Sequence, residues 1–256
     1  MDLGLRDKVV VITGSSRGIG RATAIAFGAE GARVVLSARG EEQLAEAAEA
    51  VRAVGGEALP VQVDVTTDQG VERLLGETQR SFGPVDVLVN NVGGSRGAPT
   101  WEATDEDWRS VLDLNLLPAV RCSRAVIPSM IERRSGSIVI VSSIYGRESG
   151  GATTYNAAKA AELSLSKQLA RQLAPHNVRV NAVAPGSIIF PGGGWQRRVD
   201  ADPEAMRRFV ESDMPLGRFG RPEEVASVIV FLGSTRASLV TGACLNVDGC
   251  QSRSNI

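Results

Sequence analysis

The sequence predicts an α/β protein with a doubly wound parallel sheet of seven strands, arranged in three layers with helices on both faces. Short runs rich in Val and Ile alternate with longer helical patterns along the 256 residues. These short runs are almost continuously apolar, which is typical of parallel strands buried on both faces. No repeat or low-complexity linker interrupts the pattern. We therefore expect one domain over residues 1–256.

Seven apolar runs predict the strands in chain order. They are KVVVIT (8–13), RVVLSA (33–38), ALPVQV (58–63), VDVLVN (85–90), SIVIVSS (137–143), VRVNAV (178–183) and ACLNV (243–247). Helical patterns fill the gaps, for instance at 41–54, 105–134 and 153–174. In a sheet of this kind, ligands bind beyond the carboxyl ends of the strands.

Residues 185–206, PGSIIFPGGGWQRRVDADPEAM, form the one region without a regular pattern. Consecutive glycines and several prolines predict irregular structure there. A Gly-rich segment with aromatic residues is either a spacer or a mobile lid, and its position after a strand favours a substrate lid at about 186–213. Phe190 and Trp195 either offer an apolar surface to the substrate or anchor the lid to its own domain.

Composition excludes several classes of function. The chain has 28 Lys and Arg against 29 Asp and Glu, so no overall basic excess indicates a nucleic acid or membrane partner. The first residues do not resemble a signal peptide, and no apolar run reaches membrane-spanning length. The three cysteines lack metal-ligand spacing, and His176 is the only histidine. We expect a cytoplasmic protein with free thiols and no metal site.

The first strand leads into TGSSRGIG, a glycine turn before a helix. Gly14 permits the tight turn, Gly18 lets the backbone approach a phosphate, and Gly20 lets the helix pack closely on the strand. The free N–H groups of the helix N-terminus would face that phosphate. A glycine turn without function is the alternative, but its place after the first strand favours dinucleotide binding.

The end of the second strand distinguishes between the two nicotinamide dinucleotides. A carboxylate there would bind the ribose hydroxyls of NAD, whereas an arginine would accommodate the 2′-phosphate of NADP. The sequence reads VVLSARGEE, so Arg39 stands where the acid is missing, and Arg17 in the glycine turn adds a second positive charge. This pattern favours NADP(H) over NAD(H).

Tyr155 and Lys159 are four residues apart in TTYNAAKAAELSLSKQLARQLA, and residues at this spacing share one face of a helix. A phenol has a pKa of about 10, and a neighbouring ammonium favours its ionised form. The pair therefore predicts a phenol that exchanges a proton near neutral pH. Ser142 and Ser143 follow the preceding strand, where a hydroxyl can bind a substrate carbonyl.

The ordered motifs TGSSRGIG, NNVGG, LDLN, the serine pair, YNAAK, VRVNAVAPG and VDGC resemble those of the short-chain dehydrogenase/reductases over essentially the whole chain. The resemblance implies a Rossmann fold and a catalytic set of four residues. In this set the tyrosine donates a proton to the substrate carbonyl, which the serine holds by a hydrogen bond. The lysine acts on the tyrosine and also binds the nicotinamide ribose, and the asparagine supports a water that relays protons. This set is Asn115, Ser143, Tyr155 and Lys159. The register of Gly146 favours Ser143, although Ser142 remains the alternative serine.

The resemblance also implies which residues contact the cofactor. Asp64 and Val65 would lie near the adenine, and Asn91 near its ribose. With Arg39 at the second strand's end, predicted above, the set is completed by residues of the glycine turn, of the fourth strand's end and of the nicotinamide side: Gly14, Ser16, Arg17, Gly18, Ile19, Gly20, Gly93, Tyr155, Lys159, Pro185, Gly186 and Ile188. Val92 replaces the alanine that is usual in this family.

The leading functional hypothesis is an NADPH-dependent reductase of a ketone or 3-oxoacyl substrate. The 3-oxoacyl-carrier-protein reductases look closest in layout, which makes acyl carrier protein a candidate partner; Arg134 matches one of their docking positions, whereas His176 replaces a second arginine. Two alternatives stay open, namely an NAD-dependent dehydrogenase of a secondary alcohol, sugar or polyol, and a non-catalytic dinucleotide sensor. By resemblance, we also expect a homotetramer.

Overall fold

A computed structural model describes residues 2–255 and confirms the predicted α/β fold. Its single sheet has seven strands, all parallel, in the order β3-β2-β1-β4-β5-β6-β7. The strands are β1 Val9–Thr13, β2 Arg33–Ala38, β3 Glu57–Gln62, β4 Val87–Asn90, β5 Gly136–Val141, β6 Val178–Pro185 and β7 Cys244–Val247. The strand order reverses between β1 and β4, so their carboxyl ends flank the crevice in which such sheets bind ligands.

The structure has eight α-helices within this range. They are α1 Gly18–Ala29, α2 Glu41–Ala53, α3 Asp68–Ser81, α4 Asp105–Arg133, α5 Thr153–Leu173, α6 Gly194–Ala201, α7 Pro203–Asp213 and α8 Pro222–Gly233. Helices α1, α2 and α8 pack on one face, whereas α3, α4 and α5 pack on the other. No helix in the described residues is both long enough and apolar enough to cross a membrane.

Each face of the sheet has its own apolar core because successive strand side chains point to opposite sides. Val10 and Ile12 of β1 pack with Phe27 of α1, while Val11 between them packs with Met130 of α4. All five side chains are fully buried. The continuous apolar runs of the sequence therefore follow from burial on both faces of the sheet.

The prediction of irregular structure over 185–206 is wrong for its second half, which forms α6 and the beginning of α7. The Asp202 carboxylate accepts the N–H of Ala205 at 2.9 Å and caps α7. Pro203 occupies the first turn of α7, where a missing N–H costs nothing. The Trp195 ring stacks on Phe209 with 4.9 Å between centroids, giving the two short helices an apolar contact of their own.

Candidate active site

The glycine turn joins β1 to α1 through two glycines in the left-handed backbone conformation. Gly14 and Gly18 have φ values of 67° and 56°, which favour glycine. No side chain caps the N-terminus of α1 at Arg17, so its first N–H groups face outward with the positive end of the helix dipole. Ser16 and Ile19 are half-buried on either side of Gly18, and the Arg17 side chain is exposed.

The end of β4 is fastened to this glycine turn by Asn91. Its side-chain amide donates to the carbonyls of Thr13 and Gly14 at 2.9 and 3.0 Å. Its backbone N–H donates to the Thr13 hydroxyl at 2.9 Å, and Val92 N–H shares that hydroxyl at 3.2 Å. Asn91 therefore fixes the shape of the turn, and the Val92 side chain rests against Gly14.

Phe190 lies over the same turn. A Cβ built on Gly18 would be 2.7 Å from the Cζ atom of Phe190, so the ring is in direct contact with the glycine. Trp195, in contrast, packs against Phe209 and Phe219, and the Arg198 guanidinium lies 4.6 Å from its ring. Of the two roles considered for these aromatics, Trp195 fits the anchoring role, while Phe190 faces the dinucleotide crevice.

The ends of β2 and β3 border an open cavity of about 440 Å³ whose lining includes Arg39, Asp64 and Arg73. The Arg39 side chain is exposed, and Asp64 is half-buried. Burial opposes ionisation of Asp64, but hydrogen bonds from the Thr66 N–H and hydroxyl, with Arg39 and Arg96 nearby, lower its pKa overall. The cavity thus combines two arginines with an ionised carboxylate. Val65 is buried behind it.

Tyr155 and Lys159 lie on one face of α5, as their spacing predicts. The Nζ atom of Lys159 is 5.7 Å from the centroid of the Tyr155 ring. Tyr155 is half-buried, whereas Lys159 is buried. The Lys159 ammonium donates to the carbonyl of Val141 at 3.0 Å, which ties this turn of α5 to the end of β5.

The Lys159 ammonium also contacts Glu162, a buried carboxylate one helical turn further along. Both carboxylate oxygens of Glu162 lie 3.0 Å from Nζ. Burial alone would lower the pKa of Lys159, but the Glu162 carboxylate and the Tyr155 hydroxyl raise it overall. Lys159 is therefore held in its charged form. Glu162 was not among the predicted site residues.

The two serines after β5 have different partners. The Ser142 hydroxyl donates to the backbone carbonyl of Lys159 at 2.9 Å and so faces α5. The Ser143 hydroxyl accepts the N–H of Tyr145 at 3.2 Å, at the start of a short 3₁₀ helix over Ile144–Gly146. This contact uses a lone pair of Ser143 and leaves its O–H proton for another acceptor. The geometry thus favours Ser143 as a donor to a ligand.

Asn115 is fully buried on α4, and its side chain binds the loop after β4. Its amide donates to Gly94 and Val111 carbonyls at 2.9 and 2.8 Å, and its Oδ1 accepts the Gly94 N–H at 2.9 Å. A Cβ built on Gly93 would lie 2.6 Å from Asn115 Oδ1 and 2.9 Å from Lys159 Nζ. A side chain at position 93 would therefore collide with both the Asn115 amide and the Lys159 ammonium.

The segment after β6 completes the crevice and is supported by the C-terminal tail. Pro185 ends β6, and the buried Ile188 packs beside Gly220. Gln251 accepts the N–H of Ser187 at 2.7 Å and donates to its hydroxyl at 2.9 Å. A Cβ on Gly186 would meet the same Gln251 side chain at 2.6 Å. No predicted contact included Gln251, which is 64 residues away along the chain.

The predicted site residues therefore lie on the glycine turn, on α4 and α5 and after the carboxyl ends of strands β2 to β6. The glycine turn is bound to the end of β4 by Asn91, and the turn of α5 that carries Tyr155 and Lys159 is bound to the end of β5 by the Lys159 ammonium. No group of three or more His, Cys, Asp or Glu residues within 2–255 is arranged to hold a metal ion.

Comparison with known proteins agrees with this arrangement. The family model described as Enoyl-(Acyl carrier protein) reductase matches residues 14–250. The 3-oxoacyl-[acyl-carrier-protein] reductase of Thermotoga maritima is 40% identical over 246 residues, covering 96% of this chain and 98% of the relative. Its counterpart from Synechocystis is 40% identical over 248 residues, covering 96% and 97%.

Two solved structures are similar over nearly their whole length. L-sorbose reductase from Gluconobacter frateurii, complexed with NADPH and L-sorbose, superimposes with a TM-score of 0.93 at 37% identity, covering 99% of this chain and 100% of that one. Levodione reductase has a TM-score of 0.91 at 32% identity, covering 98% and 99%.

Proposed function

Because the chain belongs to the short-chain dehydrogenase/reductase family, we propose that it is an NADPH-dependent reductase of a ketone or 3-oxoacyl substrate. The observation that carries the proposal is a pair of hydrogen bonds that join α5 to the end of β5. The Lys159 ammonium donates to the backbone carbonyl of Val141, and the Ser142 hydroxyl donates to the backbone carbonyl of Lys159. This junction supports the proposal that the Tyr155 and Ser143 hydroxyls act on one substrate carbonyl, because it fixes the turn of α5 that carries Tyr155 to the strand end that precedes Ser143.

In the proposed reaction, Tyr155 donates its phenolic proton to the carbonyl oxygen of the substrate. When bound, NADPH supplies the hydride that the carbonyl carbon receives, so the ketone becomes a secondary alcohol and the cofactor is oxidised. The Ser143 O–H donates a hydrogen bond to the same oxygen and stabilises the negative charge that develops there. The Lys159 ammonium favours the phenolate that Tyr155 becomes. Asn115 supports the backbone beside Lys159.

The cofactor preference rests on charge at the ends of β1 and β2. Arg39 and Arg17 are exposed beside the crevice, and no carboxylate stands at the tip of β2. These arginines would bind the 2′-phosphate. The solved relative that carries NADPH, L-sorbose reductase, agrees with this preference. Gly14, Gly18 and Gly20 would hold the pyrophosphate, and Pro185, Gly186 and Ile188 would lie against the nicotinamide.

Relatives suggest two kinds of carbonyl substrate. The curated relatives are named 3-oxoacyl-[acyl-carrier-protein] reductases, whereas two of the solved ones are named L-sorbose reductase and levodione reductase. Arg134 is exposed, and its guanidinium donates to the Pro175 carbonyl beside His176. This site precedes β5 and β6, at the sheet edge opposite the Tyr155 crevice.

The segment 186–213 would act as the substrate lid. The Phe190 ring would have to move away from the glycine turn when a pyrophosphate approaches Gly18. Cofactor binding would therefore change the position of this segment. The homotetramer would use the edge strand β7, next to which Leu239 is 96% exposed. A cytoplasmic location fits a reduction that uses cellular NADPH.

The test begins with titration of NADPH and NADH against the purified protein, followed by fluorescence. We expect tighter binding of NADPH and then turnover of a 3-oxoacyl thioester, a diketone or a ketose. A preference for NADH would favour the alcohol dehydrogenase, and binding without turnover would favour the sensor. Tyr155→Phe should keep NADPH binding and lose turnover, because only the proton donor is removed. Substantial activity in that variant would exclude Tyr155 as the donor.

A further inference from the structure

Glu162 is a buried carboxylate in the wall of the active site. It lies on the face of α5 that packs against the end of β5, and its side chain is only 2% exposed. Carboxylates are rarely buried to this extent unless a cation binds them. Its partner is the Lys159 ammonium, with 3.0 Å from Nζ to both oxygens.

The contacts of Lys159 show where its charge is directed. An ammonium has three N–H donors, and Lys159 has three acceptors, namely the two Glu162 oxygens and the Val141 carbonyl. The Tyr155 ring is 5.7 Å away at its centroid. The carboxylate is thus closer to the ammonium than the phenol ring is, and its negative charge opposes the positive charge that Tyr155 experiences.

Other ionisable groups near this cluster act on Tyr145 rather than on the ion pair. Tyr145 lies on the 3₁₀ helix after β5, next to Tyr155. Arg198 of α6, Asp213 of α7 and Glu148 after the 3₁₀ helix are the charges that act on it. Glu148 is itself bound by the C-terminal tail. Glu162 is therefore the carboxylate in direct contact with the Lys159 ammonium.

We propose that Glu162 is a positioning residue that offsets part of the Lys159 charge and so keeps Tyr155 in its neutral, proton-donating form. The inference rests on the proposed role of Tyr155 as proton donor and specifies how the site is set for reduction. An uncompensated ammonium would favour the phenolate, which is the form needed to accept a proton during alcohol oxidation. A carboxylate bound to that ammonium shifts the balance toward the phenol.

Protonation of Glu162 limits the pH range of this effect. Burial raises the pKa of Glu162 to about 7, although the bound Lys159 ammonium lowers it. The carboxylate therefore offsets the lysine above about pH 7 and releases it as the pH falls further. The offset of the Lys159 charge is thus present above about pH 7, where Glu162 is ionised.

Titration of the tyrosines tests the proposal without any substrate. The chain has two tyrosines, so protein labelled with ¹³C at the tyrosine ring gives two signals, which Tyr145→Phe assigns. In Glu162→Gln we expect the midpoint of the Tyr155 titration to fall by roughly 1 unit or more, the effect of an ammonium no longer offset. An unchanged or higher midpoint would overturn the proposal. Glu162→Asp, which keeps the charge, should produce a much smaller fall.

A second measurement uses the wild-type protein, in case Glu162→Gln does not fold. With ¹³C-labelled glutamate carboxyl groups, and Glu162→Asp to assign the signal, Glu162 should be ionised at pH 8. A protonated Glu162 at that pH would refute the offset. Both readouts concern protonation alone, so a failure of the proposed NADPH-dependent reduction would be seen separately, in cofactor binding and in the turnover of Tyr155→Phe.

Discussion

Gly20→Ala is expected to destabilise the glycine turn although alanine is the better helix former. A Cβ at position 20 would collide with the Gly14 carbonyl oxygen, and it would lie 2.6 Å from Asn91 Nδ2 and 2.9 Å from Ser15 Cα. Two of these three neighbours are backbone atoms, so the turn itself must shift. Overpacking of this kind costs about 1–3 kcal/mol.

The net effect on the free energy of unfolding includes a gain from helix propensity. Alanine is favoured over glycine inside a helix by about 1 kcal/mol, so the expected net loss is on the order of 0–2 kcal/mol. For a chain of this size, each kcal/mol lowers the melting temperature by about 2–4 °C. The displaced turn should also weaken NADPH binding, because Asn91 fastens it to β4 through the Gly14 carbonyl.

Gly76→Ala is the matched control, since Gly76 is in the middle of α3 and a Cβ there would meet nothing within 4 Å. We expect it to raise the free energy of unfolding by about 0.5–1 kcal/mol and to leave NADPH affinity unchanged. Urea denaturation and NADPH titration at one protein concentration measure both quantities. A Gly20→Ala protein as stable as Gly76→Ala, with wild-type affinity, would refute the reasoning about the crowded turn.

Two further predictions concern the ends of β5 and β2. Ser143→Ala should lower kcat by about 10²–10³-fold with little change in NADPH affinity. Ser142→Ala should mainly cost about 1 kcal/mol of stability, because it loses the hydrogen bond to the Lys159 carbonyl. Steady-state kinetics and urea denaturation measure the two effects, and the reverse pattern would exchange the roles of the two serines. Arg39→Ala should raise the Kd of NADPH at least about tenfold, because a charged hydrogen bond is lost. The Kd of NADH should stay nearly unchanged. Equal losses of affinity for both cofactors would contradict the 2′-phosphate assignment.

Most of the fold could be predicted from the sequence because its signals are local. Each of the seven strands begins as an apolar run, five of them are largely buried while β3 and β7 are only partly so, and the structure shifts their ends by only a few residues. Tyr155 and Lys159 are also a local signal, since one helix spaces them. The helices of 194–213 were missed because glycine and proline indicate breaks, whereas the stacking of Trp195 on Phe209 depends on tertiary packing.

The residues that support the site could not be predicted, because their contacts join distant segments. Asn91 reads as one member of a motif, and only the structure shows that its amide closes the glycine turn 77 residues earlier. Gln251 reads as a polar tail residue, yet it holds Ser187 beside the expected nicotinamide position. In both cases the sequence identifies a polar residue in a loop, but its partner is set by the packing of the sheet.

Glu162 illustrates the same limit within a single helix. Its spacing of three residues from Lys159 indicates a helical ion pair, and such pairs on exposed helices contribute only a few tenths of a kcal/mol. Burial against the end of β5 changes the consequence, because the carboxylate must either bind the ammonium or lose its charge. The i,i+3 spacing is therefore visible in the sequence, whereas the electrostatic coupling to Tyr155 requires the packing of α5 against the sheet.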